Sequence, residues 1–485
     1  KLSVHAIVNK HSFVQHKAQN QETILRYQAI GRYLDEVIET PPNTATAGFT
    51  DKLDKYLLSP TWGYVIFLVI IFLIFQAIFS LATYPMDLID LFFSKISVFL
   101  ENNLPSGPLT DLLSQGIVPG ISGIVIFIPQ IAILFLFIAL LEESGYMARV
   151  VFLMDKIMRK FGLSGKSVVP LISGVACAIP AIMAARSIEN WKERLGTILV
   201  TPFMSCSARL PVYAIIIALI IPEKTVWGFI NLQGLMLLFM YLIGVFAALF
   251  FSWIFTLFSK IKSKSYLVME LPLYKFPRVS NVGMTMLNKS LAFVTEAGKV
   301  ILAISIILWI LASYGPKEKM QRAEQVIRKE NPTLQASSEA FVRKVEAYKL
   351  QNSFAGQFGS FIEPAIRPLG YDWKIGIALI TSFAAREVFV GTMATIYSID
   401  AEAEQSTTVK EKMSRDINPI TGKKTYDFAT GFSLLIFYAF AMQCMSTLAV
   451  VRKETGTWKW PIIQWFVMSG LAYLLALIVY QIFSR

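Results

Sequence analysis

Polar residues dominate positions 1–60, and from Trp62 onward long apolar runs recur along the chain. A helix needs about 20 apolar residues to cross a hydrocarbon core ~30 Å thick. Runs of that length lie at 62–82, 121–141, 196–221, 230–258, 290–313, 373–399, 428–451 and 461–483. Backbone polar groups in lipid need internal partners, so these runs predict helices. A ninth run, 168–185, is interrupted by Pro170, Gly174 and Pro180 and predicts a broken or re-entrant segment. Two amphipathic stretches, 86–101 and 145–160, are too charged or too short to span, and predict elements at an interface or packed on the bundle. In the polar region, residues 23–30 carry apolar positions at helical spacing, followed by the turn-rich Pro41-Pro42-Asn43-Thr44. The predicted fold class is an all-α polytopic membrane protein with about eight spanning helices.

Composition excludes a water-soluble globule. Of 485 residues, 55% are hydrophobic and 16% charged, against about 25% charged in soluble domains. The 45 Lys and Arg exceed the 33 Asp and Glu by 12. In so apolar a chain that excess points to cytoplasmic loops and away from nucleic acid. Loop 259–289 holds Lys260, Lys262, Lys264, Lys275, Arg278 and Lys289 against Glu270, and is expected inside. Loop 83–120 holds Asp87, Asp90, Glu101 and Asp111 against Lys95, and is expected outside. With eight crossings and a returning 168–185, both termini face the cytoplasm. The insert 315–371 then lies outside and 400–427 inside. No secretory signal is present.

An internal echo links two halves. Ala148-Arg149-Val150-Val151-Phe152 resembles Ala385-Arg386-Glu387-Val388-Phe389, and Cys206 and Cys444 follow at nearly matching distances. Agreement at two separated points favours duplication. Eight crossings make the repeats parallel, and one miscounted span would make them inverted. Either arrangement brings the substrate site near the midplane between repeats. All three histidines, His5, His11 and His16, precede the apolar body, which excludes a histidine-based metal site or triad there. Three cysteines are too few for a disulfide framework.

The strongest constellation is Pro202-Phe203-Met204-Ser205-Cys206-Ser207-Ala208-Arg209-Leu210-Pro211. Two prolines in one span predict a break between them, and irregular backbone at membrane depth is tolerated where it lines a cavity. A kinked packing helix is the bland alternative, but it leaves Arg209 at membrane depth without a role. Second is the stretch from Gly174 to Met183, where Cys177 lies between Gly174 and Pro180. A lone thiol is otherwise a small buried hydrophobe. Third is Glu142-Glu143-Ser144-Gly145-Tyr146-Met147-Ala148-Arg149, in which a Glu142–Arg149 pair at a helix end is the structural alternative. Its echo, Arg386-Glu387, falls inside a span, where ionisable groups are functional by default. Fourth is Met442-Gln443-Cys444-Met445-Ser446-Thr447, whose methionines are core filler on the plain reading.

Three thiols with thioethers and a few carboxylates suit Fe(II), Cu(I) or Zn(II), and suit Mg or Ca poorly. The expected metal path comprises Cys177, Cys206 and Cys444, with Met204, Ser205, Ser207 and Glu387 as auxiliary ligands. Glu142, Glu143, Arg149, Arg209, Arg386, Pro180, Pro202 and Pro211 are expected to gate or shape it. Gly165-Lys166-Ser167 is not a P-loop, because Lys160 stands where glycine is required. An intramembrane redox enzyme is a rival that needs two thiols within disulfide reach.

The motifs at 142–149, 169–171, 177–183 and 202–213 resemble the first Gate region of the ferrous-iron transport protein B family (FeoB), and Ala385 to Thr392 resembles the second. Thr50-Asp51-Lys52-Leu53-Asp54 resembles the approach to the membrane in that family. The sequence is identified as a member over roughly 22–484. The resemblance implies Fe(II) as substrate, imported across the bacterial inner membrane. It further implies GTP and Mg bound only by a separate G domain, expected to be missing here, so that the chain by itself is no enzyme. A small cytosolic accessory protein is the implied partner, and a homo-oligomer is allowed. The implied division is a cytosolic linker remnant at 1–60, a first helix with an outside segment at 61–117, Gate repeats at 118–258 and 290–485, and the basic loop 259–289. Departures are Glu143 where many members have Asp, and Ala178 where many have Asn, which removes an amide ligand beside Cys177. A carrier of another metal or of a nucleoside on the same architecture is the nearest rival.

Overall fold

The computed structural model describes residues 15–37, 45–105, 107–222, 224–226, 230–259, 271–330, 339–383, 386, 388–397, 413–417, 424–442 and 444–484. His5, His11, the turn 41–44, Lys260, Lys262, Lys264, Glu270, Ala385, Glu387 and Gln443 lie outside the described residues. The chain divides into two units, Lys1–Ser59 and Pro60–Arg485. The first contains helices α1 (Gln15–Val37) and α2 (Ala45–Leu57).

The second unit is a helical bundle. Among the described residues six helices are long and apolar enough to cross a membrane: Trp62–Asn103, Pro108–Glu143, Trp191–Ile220, Leu232–Phe258, Phe428–Thr455 and Lys459–Phe483. Their burial separates inside from outside. The apolar window of Phe428–Thr455 is 76% buried and that of Lys459–Phe483 only 22%. Phe72, Phe246 and Phe466 present exposed rings on peripheral helices. An apolar belt of this kind is a surface made for lipid.

In the first half the chain runs through α3 (Trp62–Asn103), α4 (Val118–Val125), α5 (Ile128–Glu143) and α6 (Tyr146–Met158). The stretch 86–101, expected as a separate element, is the C-terminal half of α3, which continues through Pro85. Gly145, at φ +85°, separates α5 from α6. Next come α7 (Val168–Ala176) and α8 (Ala178–Ala184), then α9 (Trp191–Val200) and α10 (Leu210–Ile220). A short antiparallel ribbon, β1 (Thr225–Val226) with β2 (Ile230–Asn231), leads into α11 (Leu232–Ser259). The hydropathy pattern held no sign of that ribbon.

The α7–α8 segment enters and returns, as expected for 168–185. Lys166 and Glu189, at its two ends, are 2.9 Å apart, and the Ser167 and Thr197 hydroxyls are also 2.9 Å apart. The Lys166 ammonium holds the exposed Glu189 carboxyl below the usual carboxylate range. A crossing would separate those ends by ~30 Å.

In the second half α12 (Val279–Phe293) and α13 (Lys299–Ser313) are joined by the π-helical turn Val294–Gly298. The insert that follows is helical, and Ala323, Ile327, Phe341 and Val345 form a small core within it. After α14 (Phe354–Ile366) come α15 (Trp373–Thr381), α16 (Val388–Tyr397), α17 (Phe428–Phe440), α18 (Met445–Thr455) and α19 (Lys459–Phe483). The expected span 373–399 departs from a single crossing. Lys374 lies 4.7 Å from the Tyr397 ring, and Thr381 and Thr392 are hydrogen-bonded at 2.8 Å. Residues 373–397 therefore fold back as a second hairpin. Folding back places Arg386 at a tip among protein groups, where an ionisable side chain finds partners that lipid lacks.

The halves are tied at one end by an ion triad. Glu454, 3% exposed, accepts from Arg186 and, at 2.7 Å, from Arg194. Deeper in, α11 packs against the 204–206 break through Gly244. A Cβ there would lie 2.9 Å from Ser205 Oγ and 3.0 Å from the Phe203 carbonyl. Gly244→Val is expected to lower stability by about 1–3 kcal/mol through overpacking, read as a lower thermal midpoint of the detergent-solubilised protein.

Candidate functional site

Four interruptions of helix meet in the bundle core. The first is Cys177, extended at φ −155° and ψ 135° between α7 and α8. Pro180 explains it: proline cannot donate to the carbonyl four residues back, and its ring clashes there. That carbonyl belongs to Ala176, where α7 stops. Its oxygen instead accepts a 2.8 Å hydrogen bond from Ser207 Oγ.

The second interruption runs from Met204 (ψ 132°) to Cys206 (ψ 162°), between the 3-10 turns Thr201–Phe203 and Ser207–Arg209. Pro202 and Pro211 flank it, as expected. Carbonyls at a helix end lack intrahelical donors, and here Arg209 supplies them. Its guanidinium, 0% exposed, donates to the oxygens of Pro202 at 3.1 Å and of Phe203 and Met204 at 3.4 Å. Arg209 therefore satisfies the carbonyls that the break frees.

The third is the hairpin tip between α15 and α16, and the fourth is 441–444, where Cys444 is extended at φ −156° and ψ 98°. Met445 N donates to the Phe383 carbonyl at 3.3 Å, joining tip to break. Arg386 bridges the halves: Nη1 reaches Cys206 Sγ at 3.4 Å and Nη2 the Ala441 carbonyl at 3.4 Å. Its Nε has no hydrogen-bond partner.

A cavity of about 100 Å³ lies among these four breaks, and Cys177, Cys206 and Cys444 all line it. Met204, Ser207, Pro202 and Arg386 share the wall, as do Gln130, Ser446 and Thr447. At ~30 Å³ per water, the space suits a few waters or one ion with a partial shell. Ser446 Oγ is buried and without a hydrogen-bond partner among the described residues. Among the described residues no three His, Cys, Asp or Glu side chains group closely enough to hold a metal together. The thiols face one space without closing around a point.

Several expected residues lie elsewhere. Ser205 turns its hydroxyl to the Met240 carbonyl at 3.4 Å, away from the cavity. Glu143 accepts from the Arg278 amide at 3.1 Å and from Asn281 at 2.7 Å, remote from the thiols. Arg149 donates to the Gly145 and Pro272 carbonyls and covers the Tyr274 ring at 4.2 Å. Glu142 lies beside it at the end of α5, where its carbonyl accepts from Gly145. Pro180 acts on the backbone and leaves the wall to its neighbours. Glu387 lies outside the described residues.

The echo around Arg149 and Arg386 pairs unlike structures, since one lies in a continuous helix and the other at a hairpin tip. Order along the chain supports the other equivalence: each half has a hairpin and then a broken helix, with Cys206 and Cys444 in the broken helices. Sequence reasoning passed over Gln130, whose Nε2 donates to Ser207 Oγ at 2.8 Å. It is the one amide in the apolar run 121–141, which was the available signal.

Comparison with known proteins places these breaks within one family model. The nucleoside-recognition family model, Gate, matches residues 124–220 and 294–458, which between them contain all four breaks. The chain belongs to the Gate family. The model for the ferrous iron transport protein B C terminus matches 237–289, between the two Gate segments. Over 435 residues the chain is 44% identical to Fe(2+) transporter FeoB of Leptospira interrogans, covering 89% of this chain and 59% of that protein. A Staphylococcus aureus FeoB is 36% identical over 94% of this chain and 62% of its own length. A Porphyromonas gingivalis fusion of Fe(2+) transport protein A with FeoB is 35% identical over 98% and 56%. The chain thus spans about three fifths of the length of the curated relatives it matches. No solved structure matches it significantly.

In this Gate protein Arg209→Met is expected to remove more than about 3 kcal/mol, since three buried carbonyls lose a charged donor. Arg209→Lys is expected to recover little of it, because an ammonium cannot reproduce the planar fork. Thermal unfolding of both variants in detergent checks the order.

Proposed function

We propose that the chain carries Fe(II) across the bacterial inner membrane through the thiol-lined cavity, inward between its two Gate segments. The observation that carries this reading is the meeting of three cysteines, from three separate helix breaks, on one buried cavity. Thiolate, thioether and hydroxyl donors suit an intermediate or soft cation. The names of the FeoB relatives support iron as that cation.

A transporter site must release what it binds. Thiols spaced around a cavity hand an ion from one to the next, where a closed shell would trap it. Arg386 donates to Cys206 Sγ and supplies the positive charge there. An arriving dication displaces the guanidinium, and thiol deprotonation accompanies metal binding. Ser446 Oγ, without a partner, is free to add an oxygen.

A nucleoside substrate fits less well. Small-molecule pockets occupy about 300–1,000 Å³, whereas the space that all three cysteines line has about 100 Å³; the adjoining cavity is larger, but none of the three thiols lines it. With 373–397 folded back, seven crossings remain of the eight expected. That count makes the repeats inverted and sets residue 60 and the C-terminus on opposite faces of the membrane. Control would come from a GTP-binding domain on the cytosolic side, and from a partner akin to the transport protein A fused in the P. gingivalis relative.

Cys206→Ser is expected to lower Fe(II) uptake by about tenfold or more in cells lacking other iron importers. In isolated membranes Fe(II) should slow alkylation of Cys177, Cys206 and Cys444, and adenosine or uridine should not. Normal uptake by the variant, or protection by a nucleoside in place of the metal, would reject the assignment. A reporter fused after Arg485 should respond as a periplasmic one, and a cytoplasmic response would reject the seven-crossing arrangement.

A further inference from the structure

A second, larger cavity of about 930 Å³ adjoins the thiol cavity, and Gly123, Phe127, Gln130, Ser207, Ala208 and Ile301 belong to the walls of both. On α3 the wall combines the apolar Ile78, Ala82, Met86 and Phe93 with the polar Thr83, Asp87, Asp90, Ser94, Ser97 and Glu101, and it is the polar set that forms a pattern. These positions advance by alternating steps of four and three, the spacing that keeps side chains on one helix face. The neighbouring faces of the same helix carry Leu88, Leu91, Phe92 and Phe99, all exposed. A polar, acidic stripe therefore runs along an otherwise apolar helix and faces the cavity. At 1.5 Å per residue it extends for about 27 Å.

Charge in this wall has one sign. No Lys, Arg or His lines the cavity among the described residues. The opposite wall supplies Ser114, Gln115, Ser122 and Ser305. Ser97 Oγ donates to the Ser114 carbonyl at 2.9 Å, and Gln115 Nε2 approaches Glu101 at 3.4 Å. A second, independent observation points to a ligand: Ser114 is 1% exposed, its Oγ has no hydrogen-bond partner among the described residues, and it belongs to this cavity wall. The inner end of the cavity is the Gln130–Ser207 hydrogen bond. Beyond it lie the cysteines.

We propose that this cavity is a divalent-cation antechamber, in which Asp87, Asp90 and Glu101 gather hydrated metal ions and the Gln130–Ser207 pair admits them to the thiol cavity. The proposal rests on reading the thiol cavity as a metal site. Carboxylates suit the hydrated ion, because they attract it without demanding that its water be stripped. Thiols then take it where the passage narrows. A cleft lined by one sign of charge raises the local concentration of its counter-ion and its capture rate.

The test uses the full chain in proteoliposomes, measuring Fe(II) uptake against concentration at low and high ionic strength. The triple variant Asp87→Asn, Asp90→Asn, Glu101→Gln is expected to raise the apparent KM about tenfold at low salt, with a smaller fall in maximal rate. Its uptake should also lose the salt dependence of the parent. Asp90→Asn alone, with a rise of about threefold, and recovery by Asp90→Glu keep the test readable if the triple variant misfolds. Unchanged KM and salt dependence would mean a solvated acidic face only and would overturn the proposal. Mn(II) binding followed by electron paramagnetic resonance separates the two readings. In the variant Cys177→Ser, Cys206→Ser, Cys444→Ser, weak Mn(II) binding should persist and vanish when the three acids are also neutralised. Mn(II) binding indifferent to those acids sinks the antechamber alone, whereas normal Fe(II) uptake by the cysteine variant sinks the thiol assignment alone.

Discussion

Backbone hydrogen bonding inside an apolar bundle is the constraint on which everything else depends. A continuous helix satisfies itself and presents nothing to a substrate. Every break frees carbonyls and amides that must find partners at a depth where water is scarce. Among the described residues several of these carbonyls meet a named donor: Ser207 for Ala176, Arg209 for the carbonyls of 202–204, Met445 N for Phe383 and Arg386 for Ala441. These bonds fasten the breaks to one another, so the four interruptions converge. Convergence of the breaks produces the cavity.

The same constraint explains the two arginines. Each guanidinium is a rigid fork able to serve several carbonyls. Arg209 uses the fork entirely within its own half, as a structural plug. Arg386 divides its donors between Cys206 in one half and Ala441 in the other. Relative movement of the halves must therefore break or remake contacts at the thiol. The triad of Glu454 with Arg186 and Arg194 ties the halves at one end of the bundle.

Much of this was legible in the residues. Pro180, Pro202 and Pro211 announce the breaks of the first half, because proline acts on a carbonyl four residues away whatever the tertiary setting. The second half has no such marks: 382–387 and 441–444 hold no proline. Its breaks could be inferred only through the repeat relation of Cys444 to Cys206. The short echo around Arg149 misled for the opposite reason, since five similar residues occur in a helix in one place and at a hairpin tip in the other. Gln130 escaped notice because a lone amide in an apolar run looks like a tolerated exception until its partner is known.

By itself the sequence determined the class of protein and the helix breaks of the first half. Hydropathy, proline and side-chain type act locally, and local interactions are written in order along the chain. Tertiary structure alone decided that 373–397 folds back, that Ser205 faces away while Ser446 faces in, and that the stripe on α3 lines a cavity adjoining that of the cysteines. Those outcomes depend on which faces of distant helices meet, and helix–helix packing selects them by the fit of surfaces that no short window of sequence contains.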